Sequence, residues 1–215
     1  MFRITLYLTR DPVPRSSRKP GQDLSEHEMN PRMAASHRLN WLTGVPVSLT
    51  AFAALPDDAR IWLLALTQPT EASVLAPELE ALLGRWRHKG VQYQATWSLL
   101  EHRILAVAEP TIAAQPSGCA IDGMLRGVNH LTAKLGMTLE DPQAVIVRLA
   151  DGLHAISRTD LEARFTDGTL DGATPVLDLA LLTLGELRQG RLERPLAATW
   201  IGRKYKNQAP AETGA

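Results

Sequence analysis

Between residues 60 and 149 the sequence predicts an α+β fold, and two observations predict it. Short apolar runs of strand length alternate with two stretches whose apolar residues recur at spacings of three and four. They follow one another in the order strand, helix, strand, strand, helix, strand, an order that places both helices against an antiparallel sheet.

The first strand is the run Ile61-Trp-Leu-Leu-Ala-Leu, ended by Gln68-Pro69. Leu75, Leu79, Leu82, Leu83 and Trp86 predict a helix over 71–87, with a start that slips towards Leu75 because Pro77 fits best in a first turn, and with Gly90 closing it. Strands over 91–97 and 102–108 read as a hairpin, the second stopped by Pro110. The next helix is the most regular of all. At about 100° per residue, Ile121, Met124, Leu125, Val128, Leu131 and Leu135 share one face, while Cys119, Asp122, Arg126 and His130 share the other. Ser117, after Pro116, caps its start, and Gly136 supplies the left-handed residue that stops it. Beyond Asp141-Pro142, residues 144–149 read as a fourth strand.

This is the element order of a ferredoxin-like βαββαβ sandwich, with both helices on one face of a four-stranded sheet. The opposite face, where Trp62, Tyr93 and Trp97 are expected, needs cover or serves for binding. The last third can supply cover. Ala150-Asp151-Gly152 is a turn before a strand over 153–156. Ser157 and Asp160 then open a short helix that runs through Phe165 and stops at Gly168, and Thr183 with Glu186 opens another that ends at Gly190. The expected plan is an extension over 1–55 that is largely disordered, a ferredoxin-like domain over 56–150, a small C-terminal α+β extension over 151–207 packed on it, and a tail over 208–215. In the first segment Phe2, Ile4, Leu6 and Leu8 alternate like a short strand, whereas 11–21 are turn formers and basic residues without periodicity.

A chain of 215 residues with 45% hydrophobic content can bury a substantial core. Lys plus Arg and Asp plus Glu both total 23, so no overall field gathers nucleic acid or an anionic membrane. The single cysteine excludes an intramolecular disulfide framework and fits a reducing compartment, with the cytoplasm as the default. No apolar run reaches the ~18 residues of a membrane span, and residues 1–8 lack the pattern of a secretory signal.

Cys119 and Asp122 are the candidate catalytic residues. Cys119 sits in the first turn of its helix, where free N–H groups and the macrodipole favour a thiolate, and the carboxylate of Asp122 works against it. A nucleophile needs a base within hydrogen-bond reach. His130 is three turns away, about 16 Å along the axis, so a base such as His88, His102 or His154 has to be brought in by folding. The first reading is that Cys119 is a small side chain packed beneath a neighbouring loop, with the chemical role as the alternative. Ser117, Gly118, Arg126, His130, His88 and His102 are the candidate ligand-binding residues. Gly123 and Gly127, beside the Cys119 stripe, let another backbone approach. This second face is therefore expected to be covered by protein or ligand, with the segment around Trp200 partly over Cys119.

The phosphate-binding, dinucleotide-binding, nucleophile-elbow and zinc-protease signatures do not occur, and the six histidines are scattered, so neither a cofactor nor a metal is expected. Trp62, Trp86, Trp97 and Trp200 read as core and interface fillers, because no basic stripe accompanies them. Arg203-Lys204-Tyr205-Lys206 is a basic cluster that reads as solvated.

Trp62 with Gln68, Trp86-Arg87-His88-Lys89-Gly90, Ile104-Leu-Ala-Val-Ala-Glu, Ser117-Gly-Cys-Ala-Ile-Asp, residues 183–187 and residues 195–200 together resemble a family of short uncharacterised bacterial proteins that often carry the label "ABC transporter ATPase". Gly-Cys-(Ser or Ala)-Ile-Asp is the most specific part. The resemblance implies Cys119 and Asp122 as family positions and no established activity, and the absent lysine loop gives the transporter label no support. Residues 161–176 are weakly similar to GYF-type peptide-binding modules. The sequence as a whole reads as a non-catalytic ligand-binding or protein-interaction domain, with a small molecule or a protein as partner and no nucleic acid or membrane. The alternative is a cysteine-dependent enzyme or thiol sensor that uses Cys119.

Overall fold

The computed structural model describes residues 47–110 and 116–205. The strand expected at 2–8, the stretch 11–21 and the tail 208–215 lie outside the described residues. After a 3-10 turn at Val47–Phe52, the alternation in Arg60–Ala65 (β1) sends Ile61, Leu63 and Ala65 to one face of a sheet and Trp62 and Leu64 to the other. Helix α1 spans Ala72–Leu83. Strands β2 (Arg87–His88) and β3 (Val91–Gln92) form a small hairpin, followed by β4 (Thr96–Leu100) and β5 (Ile104–Glu109). Helix α2 spans Gly118–Lys134. The remainder is β6 (Val145–Leu149), β7 (Gly152–Ile156), α3 (Leu161–Thr166), β8 (Pro175–Leu177), α4 (Leu184–Arg188), β9 (Glu193–Pro195), a 3-10 turn at Leu196–Ala198 and α5 (Trp200–Tyr205). The fold is α+β, with two larger antiparallel sheets, the two-stranded β2–β3 hairpin and five α-helices among the described residues.

The first sheet has the order β1-β5-β4, with Trp62 opposite Val107 and Val107 opposite Trp97. That register puts Trp62, Leu64, Leu105, Val107, Trp97 and Leu99 against Leu75, Leu79 and Leu83 of α1 and Met124, Val128 and Leu131 of α2. Trp62 and Trp97, with Tyr93 beside them, thus belong to the helix-covered face and not to the opposite one, an orientation that alternation alone does not fix. The other face, built from Ile61, Leu63, Ala65, Leu100, Ile104, Ala106 and Ala108, is covered by Leu49 and Phe52 and by residues of the last third, including Ile146, Leu177, Leu184 and Leu187. The second sheet has the order β7-β6-β8-β9. Its outer face packs Val145, Val147 and Val176 against Leu161 and Phe165 of α3 and Ile201 and Tyr205 of α5.

The expected fourth strand of the first sheet is β6, which pairs instead with β7 and β8. The reason can be read along the free edge of β1. The chain leaving α2 begins to pair there, with Thr67 N–H donating to the Thr138 carbonyl and Glu140 N–H to the Ala65 carbonyl. Continued in that register, residue 142 would stand opposite Leu63 and owe it an N–H. Residue 142 is Pro, which has none. The chain turns away at Asp141, whose carboxylate accepts the Gln143 N–H at 2.7 Å. The far end of the same edge is met by Leu182 and Leu184, bonded to Ile61 and Ala59. The boundary expected at residue 150 therefore falls in the β6–β7 hairpin, and the second sheet draws on both sides of it.

The region 71–97 also departs from expectation. Helix α1 begins at Ala72 in spite of Pro77 inside it and ends at Leu83, not at 87. Lys89 (φ 49°) and Gly90 (φ 82°) form the two-residue turn between β2 and β3, a turn that needs positive φ at both positions. Gly90 closes a hairpin, not a helix, and the strand expected over 91–97 is broken into β3 and β4.

Candidate functional site

The first turn of α2 forms as its sequence dictates. Ser117 is extended and its Oγ accepts the Ala120 N–H at 3.3 Å, while Gly136 (φ 73°) follows the last turn. Gly118 is the first helical residue. Ala120, Met124, Val128 and Leu131 are buried, and Leu125 and Leu135 pack half-buried beside them. Cys119 is a free, exposed thiol, and Asp122, Arg126 and His130 are exposed on the same side. Among the described residues, cover on this face is seen at Gly127 and not at Gly123. A Cβ on Gly127 would meet Leu82 Cδ1 of α1, whereas one on Gly123 meets nothing within 4 Å. Trp200, expected over Cys119, is itself 45% exposed and stacks on Arg158, 5.3 Å from its ring centre.

His130, His102 and His154 each make their contacts away from the thiol. His130 faces the ion pair of Glu78 with Lys134; the Lys134 ammonium beside Glu78 holds that carboxyl below its ordinary range, and Arg85 and His130 add to the effect. His102 sits in the β4–β5 turn, 3.2 Å from Glu71, and its carbonyl accepts the Thr70 N–H. That turn adjoins the segment leading to α1, and Leu66, next to it, bridges Leu139 beyond the C-terminal end of α2; Cys119 is at the other end of that helix. His154 lies on β7 and bonds Asp151 at 2.7 Å, which lowers the Asp151 carboxyl from its ordinary range. His88 falls in β2. Among the described residues no three His, Cys, Asp or Glu side chains are grouped to hold a metal ion.

A different feature gathers side chains from two elements. Between the last turn of α1 and the segment linking β3 to β4 lies a cleft of about 320 Å³, lined by Glu80, Leu83 and Gly84 on one side and residues 92–97 on the other. Its lining residue Tyr93 belongs to an aromatic cluster. Tyr93 packs on Trp86 at 4.7 Å between ring centres, and Trp86 meets Trp62 edge-on at 5.6 Å. The Trp86 indole N–H donates to the Ala120 carbonyl at 2.8 Å, which fastens the cluster to the first turn of α2. Tyr93 is buried, and among the described residues its hydroxyl has no hydrogen-bond partner. Reading 91–97 as one strand conceals this cleft, because its wall is the irregular run Tyr93-Gln94-Ala95 between two strands. The legible signal is Lys89-Gly90, a two-residue hairpin turn in the middle of what otherwise resembles a helix end.

Comparison with protein-family models, with curated proteins and with solved structures finds no match to this chain. Among the described residues no helix is long and apolar enough to cross a membrane.

Proposed function

We propose that this protein is a non-catalytic binding domain whose ligand occupies the cleft between α1 and residues 92–97. The observation that carries the reading is the cleft itself, an open concavity with Tyr93 and Trp97 in its wall and polar side chains from Glu80, Gln92, Gln94 and Thr96 around them. Apolar and aromatic surface with a few placed polar groups is the usual make-up of a ligand site. The order β1-β5-β4 with two helices on one face supports a ferredoxin-like ancestry that lacks its fourth strand, and such scaffolds serve binding as readily as catalysis. The balanced charge favours a small molecule or a protein over nucleic acid, and the single cysteine favours a reducing compartment such as the cytoplasm. The Ser117 to Asp122 element keeps the resemblance to the bacterial Gly-Cys-(Ser or Ala)-Ile-Asp proteins as part of this proposal.

The second reading, a cysteine-dependent enzyme or thiol sensor, is favoured by one observation: Cys119 is exposed in the first turn of a long helix. His102, His130 and His154 make their contacts elsewhere, and the cleft, which the thiol reading leaves unused, puts the binding reading first. Iodoacetamide labelling at neutral pH separates the two. The binding reading expects Cys119 to react at the rate of an ordinary free thiol and Cys119→Ser to retain any small molecule that co-purifies, as followed by native mass spectrometry. Labelling many times faster than glutathione, with the co-purified species lost in Cys119→Ser, would put the thiol reading first.

A further inference from the structure

We infer that the cleft between α1 and residues 92–97 selects a small organic cation, an ammonium or guanidinium group carried on a short apolar body. This rests on the binding reading and names the ligand's chemistry. Three features of the wall agree in sign. Glu80 supplies a carboxylate, and the lining contains no lysine, arginine or histidine. Leu83 and Gly84 are the C-terminal end of α1, a helix of 12 residues, where the carbonyl ends of the backbone dipoles favour positive charge. Trp97, half-buried in the lining, contributes an aromatic ring, a group that attracts cations. Arg85, just beyond the lining, interacts with Glu78. Gln92, Gln94 and Thr96 add neutral groups able to accept from N–H donors. A volume of about 320 Å³ is at the small end of the range for ligand pockets, which suits a free amine rather than a folded partner.

The test is a backbone-amide NMR titration of the full chain with three probes of similar size: phenethylammonium, neutral phenethyl alcohol and anionic 3-phenylpropionate. Phenethylammonium should shift the amides of residues 92–97 and the Trp97 indole, with a Kd about fivefold below that of the alcohol, the factor expected for one unit charge near a carboxylate in water. Glu80→Gln, a change at an exposed position, should remove most of that preference, bringing the two Kd values to within about twofold of each other. If the alcohol or the carboxylate binds the cleft as tightly as the cation, the assignment of a cation is overturned and the binding reading survives. If none of the three shifts residues 92–97, both fall. A tripeptide with a central lysine distinguishes the source of the charge: binding tighter than that of phenethylammonium overturns the free amine in favour of a polypeptide side chain.

Discussion

Gly123 and Gly127 stand one helical turn apart on α2 and differ in what surrounds them. A methyl group on Gly123 enters open space, so Gly123→Ala should gain stability through helix propensity, up to about 1 kcal/mol. On Gly127 the same methyl meets Leu82 Cδ1, the flexible end of a side chain on α1 that has to move aside. Gly127→Ala should therefore gain less than Gly123→Ala, measured by urea denaturation. If the two gains are equal, Leu82 does not press on the helix as described. A second contrast checks the phase of α2. Met124, 1% exposed, fills the core between the sheet and the helices, and Met124→Ala should cost about 2–5 kcal/mol, whereas Arg126→Ala, on the exposed face, should cost within about 0.5 kcal/mol. This face was legible in the sequence, since Met124, Val128 and Leu131 recur at helical spacing. The role of Gly127 was legible only in part, because the sequence says that a close approach is possible and not which side chain makes it.

Single elements show where local chemistry is decisive. Thr183 and Glu186 form a complete capping box at the start of α4: the Thr183 hydroxyl accepts the Glu186 N–H at 3.3 Å, and the Glu186 carboxylate accepts the Thr183 N–H at 3.2 Å and the Leu182 N–H at 2.9 Å. Thr183→Ala should cost about 1 kcal/mol. The N–H groups of Leu182 and Thr183 hold the Glu186 carboxyl below its ordinary value of 4.5. A carboxyl whose pKa is lowered by folding contributes stability that is present above its unfolded pKa and is lost as pH falls through the folded one. Chemical denaturation should thus find Glu186→Gln less stable than the parent at pH 7, with the difference shrinking as pH falls below 4.5. A difference independent of pH would mean that the glutamine caps as well as the carboxylate. This signal was fully legible, because a Thr and a Glu three residues apart suffice. The helix expected over 71–87 was not: Leu82, Leu83 and Trp86 keep helical spacing past the true end at Leu83, and only the pairing of Arg87 with Gln92 and of Tyr93 N–H with the Trp86 carbonyl turns the chain into a hairpin.

The two sheets are joined at the scale of the whole molecule by the β4–β5 turn. Glu101 (φ 49°) and His102 (φ 57°) both adopt the left-handed conformation that glycine or asparagine usually takes in such turns, at a cost of order 1 kcal/mol each. Their contacts offset it. Glu101 grips Arg148 of β6 with both carboxylate oxygens at 2.6 Å, and Arg148 Nε donates to Glu193 of β9 at 2.8 Å. These hydrogen bonds, that to Glu101 foremost, raise the pKa of the Arg148 guanidinium against the opposing effect of burial. Arg103, the next residue, donates to the Leu66 and Leu153 carbonyls and pairs with Glu140 at 2.8 Å. Arg148→Ala should destabilise by about 1–3 kcal/mol, between the values for exposed and buried pairs, because its side chain is 27% exposed. Arg148→Lys should recover less than half of that, since an ammonium cannot form the two-pronged contact. Full recovery, measured by urea denaturation, would show that charge alone joins the sheets.

What the sequence determined by itself is the set of features that depend on neighbours a few residues away: the inward face and both ends of α2, the capping box of α4, the turn at Ala150-Asp151-Gly152 and the strand character of β1, β5 and β6. Each follows from spacing along one element, where geometry repeats every two or every 3.6 residues. Only the tertiary structure decided which strands share a sheet, which face Trp62 and Trp97 occupy and where a cleft opens. Those outcomes depend on registers between distant segments, as when Pro142 falls opposite Leu63 and withholds the one N–H that a fourth strand would need there. A run such as Val145–Leu149 pairs equally well with any edge that offers matching hydrogen bonds, and its own residues do not name the partner.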